Sequence, residues 1–195
     1  LRAGCPRSIF MAHEKILNLG EAAFVVIDVQ ESFRAVIPDF AQIASNIAMF
    51  LQGAKILDVP VIVTEQYPKG LGRTAEEILF VLEPDIAPLE KTAFSSCGAT
   101  GFVSSLKELN IRQVIVAGIE AHVCVNQTTH DLLREGFQVH LLRDCISARF
   151  SLNREAAFAK MEQSGAVPST VEMALFELMR DARHEQFKEI QRLVK

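Results

Sequence analysis

The sequence predicts an α/β fold built on a parallel sheet, and three observations carry that prediction. Four short runs, "AAFVVIDV" (22–29), "PVIVTE" (60–65), "QVIVAGI" (113–119) and "QVHLLRD" (138–144), are rich in Val and Ile and apolar almost throughout. Such runs are buried on both faces, as strands of a parallel sheet are. Between them lie segments with apolar residues every three or four positions, the pattern of amphipathic helices. Strand and helix patterns alternate along the chain, which puts helices over a parallel sheet.

Each element follows in order. After the first strand, "AQIASNIAMFLQGAKIL" aligns Ile43, Ile47, Phe50, Ala54 and Leu57 on one helical face. The second strand leads into the longest irregular stretch, Tyr67 to Pro88, punctuated by Gly70, Gly72, Pro84 and Pro88, with a short helix expected over 75–81. Long loops at strand ends commonly build sites. A further strand is expected over 89–94. "TGFVSSLKELN" then repeats the helical spacing with Phe102, Leu106 and Leu109. "HVCVNQTTHDLLREG" follows the strand at 113–119 and closes on Gly136, a residue suited to the position just past a helix C-terminus. A helix over 151–164, a strand over 166–170 and a helix "VEMALFELMRD" complete the pattern, with Thr170 as N-cap. The end of the chain, 184–195, mixes both signs of charge and reads as a solvated helix.

A chain of 195 residues with 49% hydrophobic content is long enough for one domain with a sizeable core, so 1–195 is read as a single domain. Residues 1–20 are poorly patterned and read as a tail, a remnant before Met11 or a weak targeting segment. The formal net charge of -4 gives no electrostatic footprint for nucleic acid. No apolar run approaches the ~20 residues needed to span a membrane. The four cysteines, Cys5, Cys97, Cys124 and Cys145, form no CxxC pair and no zinc-module spacing. Reduced thiols in a cytoplasmic compartment are expected, with organellar targeting left open.

Parallel α/β proteins place their chemistry at the carboxyl ends of strands. Asp28 ends strand one, Lys91 lies in the strand at 89–94, and Cys124 follows the strand at 113–119. Each has a plain structural explanation. Asp28 could cap a following helix or accept loop hydrogen bonds, Lys91 could pair with Glu90 or snorkel to solvent, and Cys124 could be a small buried hydrophobe. Their joint placement favours a functional one. A helix N-terminus and an adjacent ammonium favour a thiolate, and a carboxylate can accept the thiol proton and return it to a leaving group. Cys97 is placed in a loop and Cys145 just after a strand, both with structural or incidental roles. His122 lies two positions from Cys124 and does not face it on a helix. Gly118 opens no GxGxxG pattern, so a dinucleotide site is not supported.

The residues "VVIDVQESF" (Asp28, Gln30, Phe33), "EKTAFS" (Lys91, Phe94) and "AGIEAHVCV" (Gly118, Cys124) resemble, in that order, the isochorismatase-like cysteine hydrolases, the superfamily that includes nicotinamidases. The likeness runs from about Ala22 to Arg149, and "TEQYPKGLG" (64–72) is most similar to the isochorismatase domain-containing subgroup. The resemblance implies a three-layer, Rossmann-like α/β/α fold with a six-stranded sheet of order 3-2-1-4-5-6. Strands one and four then meet at the topological switch point. It implies a catalytic triad of Asp28, Lys91 and Cys124. It also implies a cis peptide between Ile119 and Glu120, with the backbone amides of Glu120 and Cys124 as the oxyanion hole. Gln30, Phe33, Tyr67 and Phe94 are candidate pocket residues. Aromatics near strand ends are as often plain core.

Nicotinamidases carry an Asp-x-His metal motif after strand two. Here "VIVTEQYPKGLG" offers Glu65, Gln66 and Tyr67 and no histidine. No metal and no cofactor is therefore expected. The reading that results is a metal-independent amidase acting on a small-molecule substrate, with a homo-oligomer implied by the family. The alternatives are vinyl-ether hydrolysis, which needs Asp28 but not Cys124, a nuclease, and a binding protein that keeps the fold with an idle pocket.

Overall fold

The computed structural model describes residues 13–195. Cys5 and the residues preceding Met11 lie outside the described residues. Within the segment read as an N-terminal tail, residues 17 and 18 are tied to the domain: Leu17 is fully buried, and the Asn18 amide donates to Gln113 Oε1 at 2.6 Å.

Six strands form one sheet of order β3-β2-β1-β4-β5-β6: β1 Ala22–Ile27, β2 Val61–Gln66, β3 Leu89–Lys91, β4 Gln113–Gly118, β5 Gln138–Ile146 and β6 Val167–Ser169. Every neighbouring pair is parallel. The α-helices are α1 Phe40–Ile56, α2 Pro68–Leu71, α3 Glu76–Val81, α4 Phe102–Glu108, α5 Asn126–Arg134, α6 Ser151–Gln163, α7 Val171–Met179 and α8 Phe187–Leu193. This is the predicted alternation, with ends shifted by a few residues where capping and loop bonds take over. Thr170 caps α7 as expected, its hydroxyl accepting from the Met173 amide.

Strand alternation sorts the core into two layers. On one face of β1, Phe24 and Val26 pack with Ile43, Ile47 and Phe50 of α1, Leu175 of α7 and Ile190 of α8. On the other, Val25 and Ile27 pack with Phe102 and Leu106 of α4, Leu132 of α5 and Phe158 of α6. Each such side chain contributes about 1.5–3 kcal/mol by leaving water. The Phe24 and Phe50 rings stand 4.5 Å apart and tilted, a favoured aromatic geometry.

Two expectations need correction. The C-terminal segment is not wholly solvated, because Ile190 is fully buried and anchors α8 in the core. Cys145 does not follow β5 but lies within it, fully buried. Parallel pairing continues past the polar residues Arg143 and Asp144, which hydropathy alone reads as a strand end. Asp144 is bound at that end, accepting from the Val171 amide.

Gly118 closes β4 against β1, pairing with Ile27. Its φ is +140°, and a Cβ there would lie 2.2 Å from the Ile27 carbonyl oxygen. Only glycine permits this approach, and it sets how closely the ends of β1 and β4 converge.

Candidate active site

The centre of the sheet's carboxyl edge collects the three predicted residues. Asp28 directly follows β1 and adopts φ +54°, an uncommon conformation for a residue with a side chain. Its amide donates to the Thr64 carbonyl at 3.1 Å, which holds the turn against β2. Its carboxylate is 1% exposed. One oxygen, Oδ2, accepts from Lys91 Nζ at 2.6 Å, and the other, Oδ1, accepts from the Thr64 hydroxyl at 2.8 Å.

Lys91 is the last residue of β3 and is buried. Besides Asp28, its ammonium donates to Gln66 Oε1 at 2.8 Å, the Phe94 carbonyl at 2.9 Å and the Ala93 carbonyl at 3.2 Å. An ammonium has three protons to give, so four oxygen neighbours leave none spare. The site therefore holds the Lys91 side chain in one place.

Cys124 lies in a π-helical turn, Ala121–Val125, that runs directly into α5. The peptide bond between Ile119 and Glu120, at the entry to this turn, is cis. Wide turns of this type recur at functional sites. The thiol is buried, and its pKa runs opposite to the sequence expectation. Desolvation and then the Asp28 negative charge push it well above the ordinary thiol value, and the Lys91 charge only partly offsets them. Lys91 is already matched by Asp28, so little of its field is left to hold a thiolate. Burial and the neighbouring carboxylate therefore favour the thiol over a thiolate here. The other described cysteines are also raised by burial, Cys97 to about 11 and Cys145, inside the sheet, well above the ordinary thiol value.

The remaining candidates divide. Gln30 is fully enclosed and spends its amide on the backbone: Nε2 donates to the Gly72 and Gln66 carbonyls, and Oε1 accepts from the Gln66 amide. It braces the backbone between the end of β2 and Gly72. Phe33 packs against the core from a 3-10 turn, Glu31–Phe33. Tyr67 and Phe94 are exposed, at 55% and 53%, on the loops after β2 and β3. His122 and Cys124 have different surroundings. His122 meets Asn153 of α6 at 3.4 Å, whereas Cys124 feels Asp28 and Lys91.

Three contributions were not read from the sequence. Thr64 and Gln66 bind Asp28 and Lys91 respectively. They stand two apart at the end of β2, and side chains two apart on a strand share a face, so polar residues at that spacing were a usable signal. The third is the Glu120 side chain. It is buried, and Oε1 accepts from both the amide and Nε of Arg149, each at 3.0 Å. This pair ties the turn before Cys124 to the loop after β5. It joins residues 29 apart in the chain, which no local pattern reveals.

Among the described residues, no three or more His, Cys, Asp and Glu side chains are grouped to hold a metal ion. At the end of β2, Glu65 turns to the Thr74 amide and hydroxyl, at 2.6 and 2.7 Å, and Gln66 turns to Lys91. Among the described residues, no helix is long and apolar enough to cross a membrane.

Known proteins resemble this chain in sequence and fold. Isochorismatase domain-containing protein 2 from Homo sapiens is 44% identical over 180 residues, covering 90% of this chain and 84% of that protein. The structure of MAR1 ribonuclease from Caenorhabditis elegans is 41% identical, with a TM-score of 0.88 over 92% of each chain. YcaC from Pseudomonas aeruginosa, solved with hexane-2,5-diol and covalent acrylamide, is 26% identical, with a TM-score of 0.84 over 92% of each chain. The model of the isochorismatase domain matches residues 22–173, a span from the first residue of β1 into α7 that contains Asp28, Lys91 and Cys124. With its sheet order, switch-point site and sequence matches in agreement, the chain belongs to the isochorismatase domain family.

Proposed function

We propose that this protein is a metal-independent cysteine hydrolase acting on a small amide or related acyl compound. The observation that carries the reading is the buried Asp28 carboxylate, fixed by Lys91 and Thr64 and close enough to Cys124 to raise its thiol. A thiol held neutral beside a carboxylate suits proton transfer during attack.

In this mechanism Cys124 Sγ forms a bond to the substrate carbonyl carbon as Asp28 takes the thiol proton. The carbonyl π pair moves to oxygen, where the Glu120 and Cys124 backbone amides hold the oxyanion. The oxyanion collapses, the C–N bond breaks, and the departing amine takes the proton from Asp28. Water, deprotonated by Asp28, then attacks the thioester carbon. Collapse of this second intermediate breaks the C–S bond, releases the acid and returns the proton to sulfur. Lys91 remains protonated throughout and offsets the charge on Asp28. Tyr67 and Phe94 contribute apolar rim. The acrylamide bonded covalently in the YcaC relative supports a reactive nucleophile in this fold.

A second reading is cleavage of RNA, favoured by the relative named a ribonuclease. Net charge alone does not exclude it. Acid and amine release from a panel of small amides, measured for the wild type, Cys124→Ala and Asp28→Asn, tests the first reading. Turnover should be lost in both variants while folding survives. Turnover retained in Cys124→Ala overturns the acyl mechanism. RNA cleavage by the wild type that Asp28→Asn abolishes, with no amide turned over, favours the second reading.

A further inference from the structure

The Lys91 ammonium is held by more than its ion pair. We propose that Gln66 is a positioning residue of this site: its neutral side-chain amide fixes Lys91 against Asp28 and adds no charge to the Asp28–Lys91–Cys124 cluster. This rests on the reading of those three residues as one working unit.

The amide of Gln66 has its orientation set from both ends. Oε1 accepts from Lys91 Nζ at 2.8 Å, and Nε2 donates to the Thr92 carbonyl at 2.8 Å. Exchanging the two atoms would face an NH2 with an ammonium and an oxygen with a carbonyl, so only one orientation is satisfied. The backbone of Gln66 is fixed as well. Its N–H donates to Gln30 Oε1 at 2.8 Å, and its C=O accepts from Gln30 Nε2 at 3.1 Å. Gln30 is fully buried and is itself anchored to the Gly72 carbonyl at 2.6 Å. A chain of bonds therefore runs from the loop after α2, through Gln30 and Gln66, to Lys91 and Asp28.

The chemical identity of residue 66 matters because this position is buried. The titratable groups around it are Lys91 from β3 and, through Lys91, Asp28 from the end of β1. Glu65, next to it in β2, is taken up by Thr74, and Glu90 pairs with Glu65 in the register of β2 and β3. Lys91 and Asp28 form an ion pair, and burial favours the protonated form of the Cys124 thiol. A carboxylate at position 66 would add one negative charge to this cluster. It would compete with Asp28 for the ammonium and oppose loss of the Cys124 proton. A protonated carboxyl there would reproduce the native bonds, donating to the Thr92 carbonyl and accepting from Lys91.

This difference between charge and shape makes Gln66→Glu and Gln66→Met an informative pair. Both are compared with wild type for the pH dependence of Cys124 alkylation by iodoacetamide, read by peptide mapping, with melting temperature as the folding control. Alkylation needs no knowledge of the substrate, so its outcome is separate from that of the amide screen. In Gln66→Glu the profile should gain an ionisation absent from wild type. Above it, Cys124 should react about tenfold more slowly than in wild type, as an added charge a few ångströms away requires. Gln66→Met, which keeps the shape and adds no charge, should lack the new ionisation. Where an amide substrate turns over, Gln66→Met should lower kcat by up to about a hundredfold with KM little changed, because a displaced proton acceptor misaligns the reacting groups. A folded Gln66→Glu variant that follows the wild-type alkylation profile overturns the proposal, even if Cys124 proves to be the nucleophile.

Discussion

Replacing Lys91 with methionine isolates the most demanding electrostatic feature of the site. The Lys91 and Asp28 side chains are 0% and 1% exposed, and their charged atoms stand 2.6 Å apart. Removing the ammonium leaves the Asp28 carboxylate buried, with the Thr64 hydroxyl as its remaining side-chain donor. Breaking a buried pair from one side costs about 3–5 kcal/mol. For a chain of this size, that lowers the melting temperature by roughly 6–20 °C. Asp28→Asn should cost less, about 1–3 kcal/mol. The ammonium left behind keeps the oxygens of Gln66, Ala93 and Phe94, and the new amide can still accept from it. The Lys91→Met/Asp28→Asn double variant removes both charges, so its cost should fall below the sum of the singles. Urea denaturation of all four proteins, with slopes confirmed equal, measures each term. A Lys91→Met protein within about 1 kcal/mol of wild type, or additive single and double variants, would refute the description of this pair as a desolvated, mutually dependent unit.

Three further outcomes are expected. Gly118→Ala should destabilise by more than about 3 kcal/mol, because its Cβ would meet the Ile27 backbone oxygen at 2.2 Å; a normal melting temperature would show that β1 and β4 can separate freely. His140 is fully buried in β5, and desolvation lowers its pKa from 6.5 to about 4. Its neutral form therefore adds stability above pH 6.5 that is lost as pH falls towards 4, by up to about 3 kcal/mol. The difference in stability between wild type and His140→Gln should change across that interval, and a difference constant from pH 7 to pH 4 would remove His140 from the acid response. Glu120→Ala should cost about 1–3 kcal/mol by leaving the Arg149 amide without its acceptor, and it should weaken turnover by loosening the turn before Cys124. Loss of neither stability nor turnover would show that the buried Glu120–Arg149 clamp is dispensable.

By itself the sequence determined the layer architecture and the identity of the central trio. Apolar runs too short for helices, alternating with helical spacing, admit few solutions other than a covered parallel sheet. Polar or reactive residues at or just beyond strand ends stand out against their apolar surroundings, which is why Asp28, Lys91 and Cys124 were candidates without coordinates. Strand order came from family likeness, since local pattern says nothing about which strands are neighbours. Tertiary structure alone decided the electrostatics. Whether Lys91 supports a thiolate depends on how its charge is shared, and the 2.6 Å contact with Asp28 gives most of it to the carboxylate. It also decided the hydrogen-bond partners of Gln30, Gln66 and Glu120. A glutamine reads alike in a pocket wall or a strut, and Glu120 finds Arg149 only when β4 and β5 lie side by side. Hydrogen-bond partners distant in sequence leave no periodic trace along the chain. Apolar burial acts through each residue's own side chain and leaves a periodic signal; a polar site acts through pairs of residues, and their distances exist only once the chain is folded.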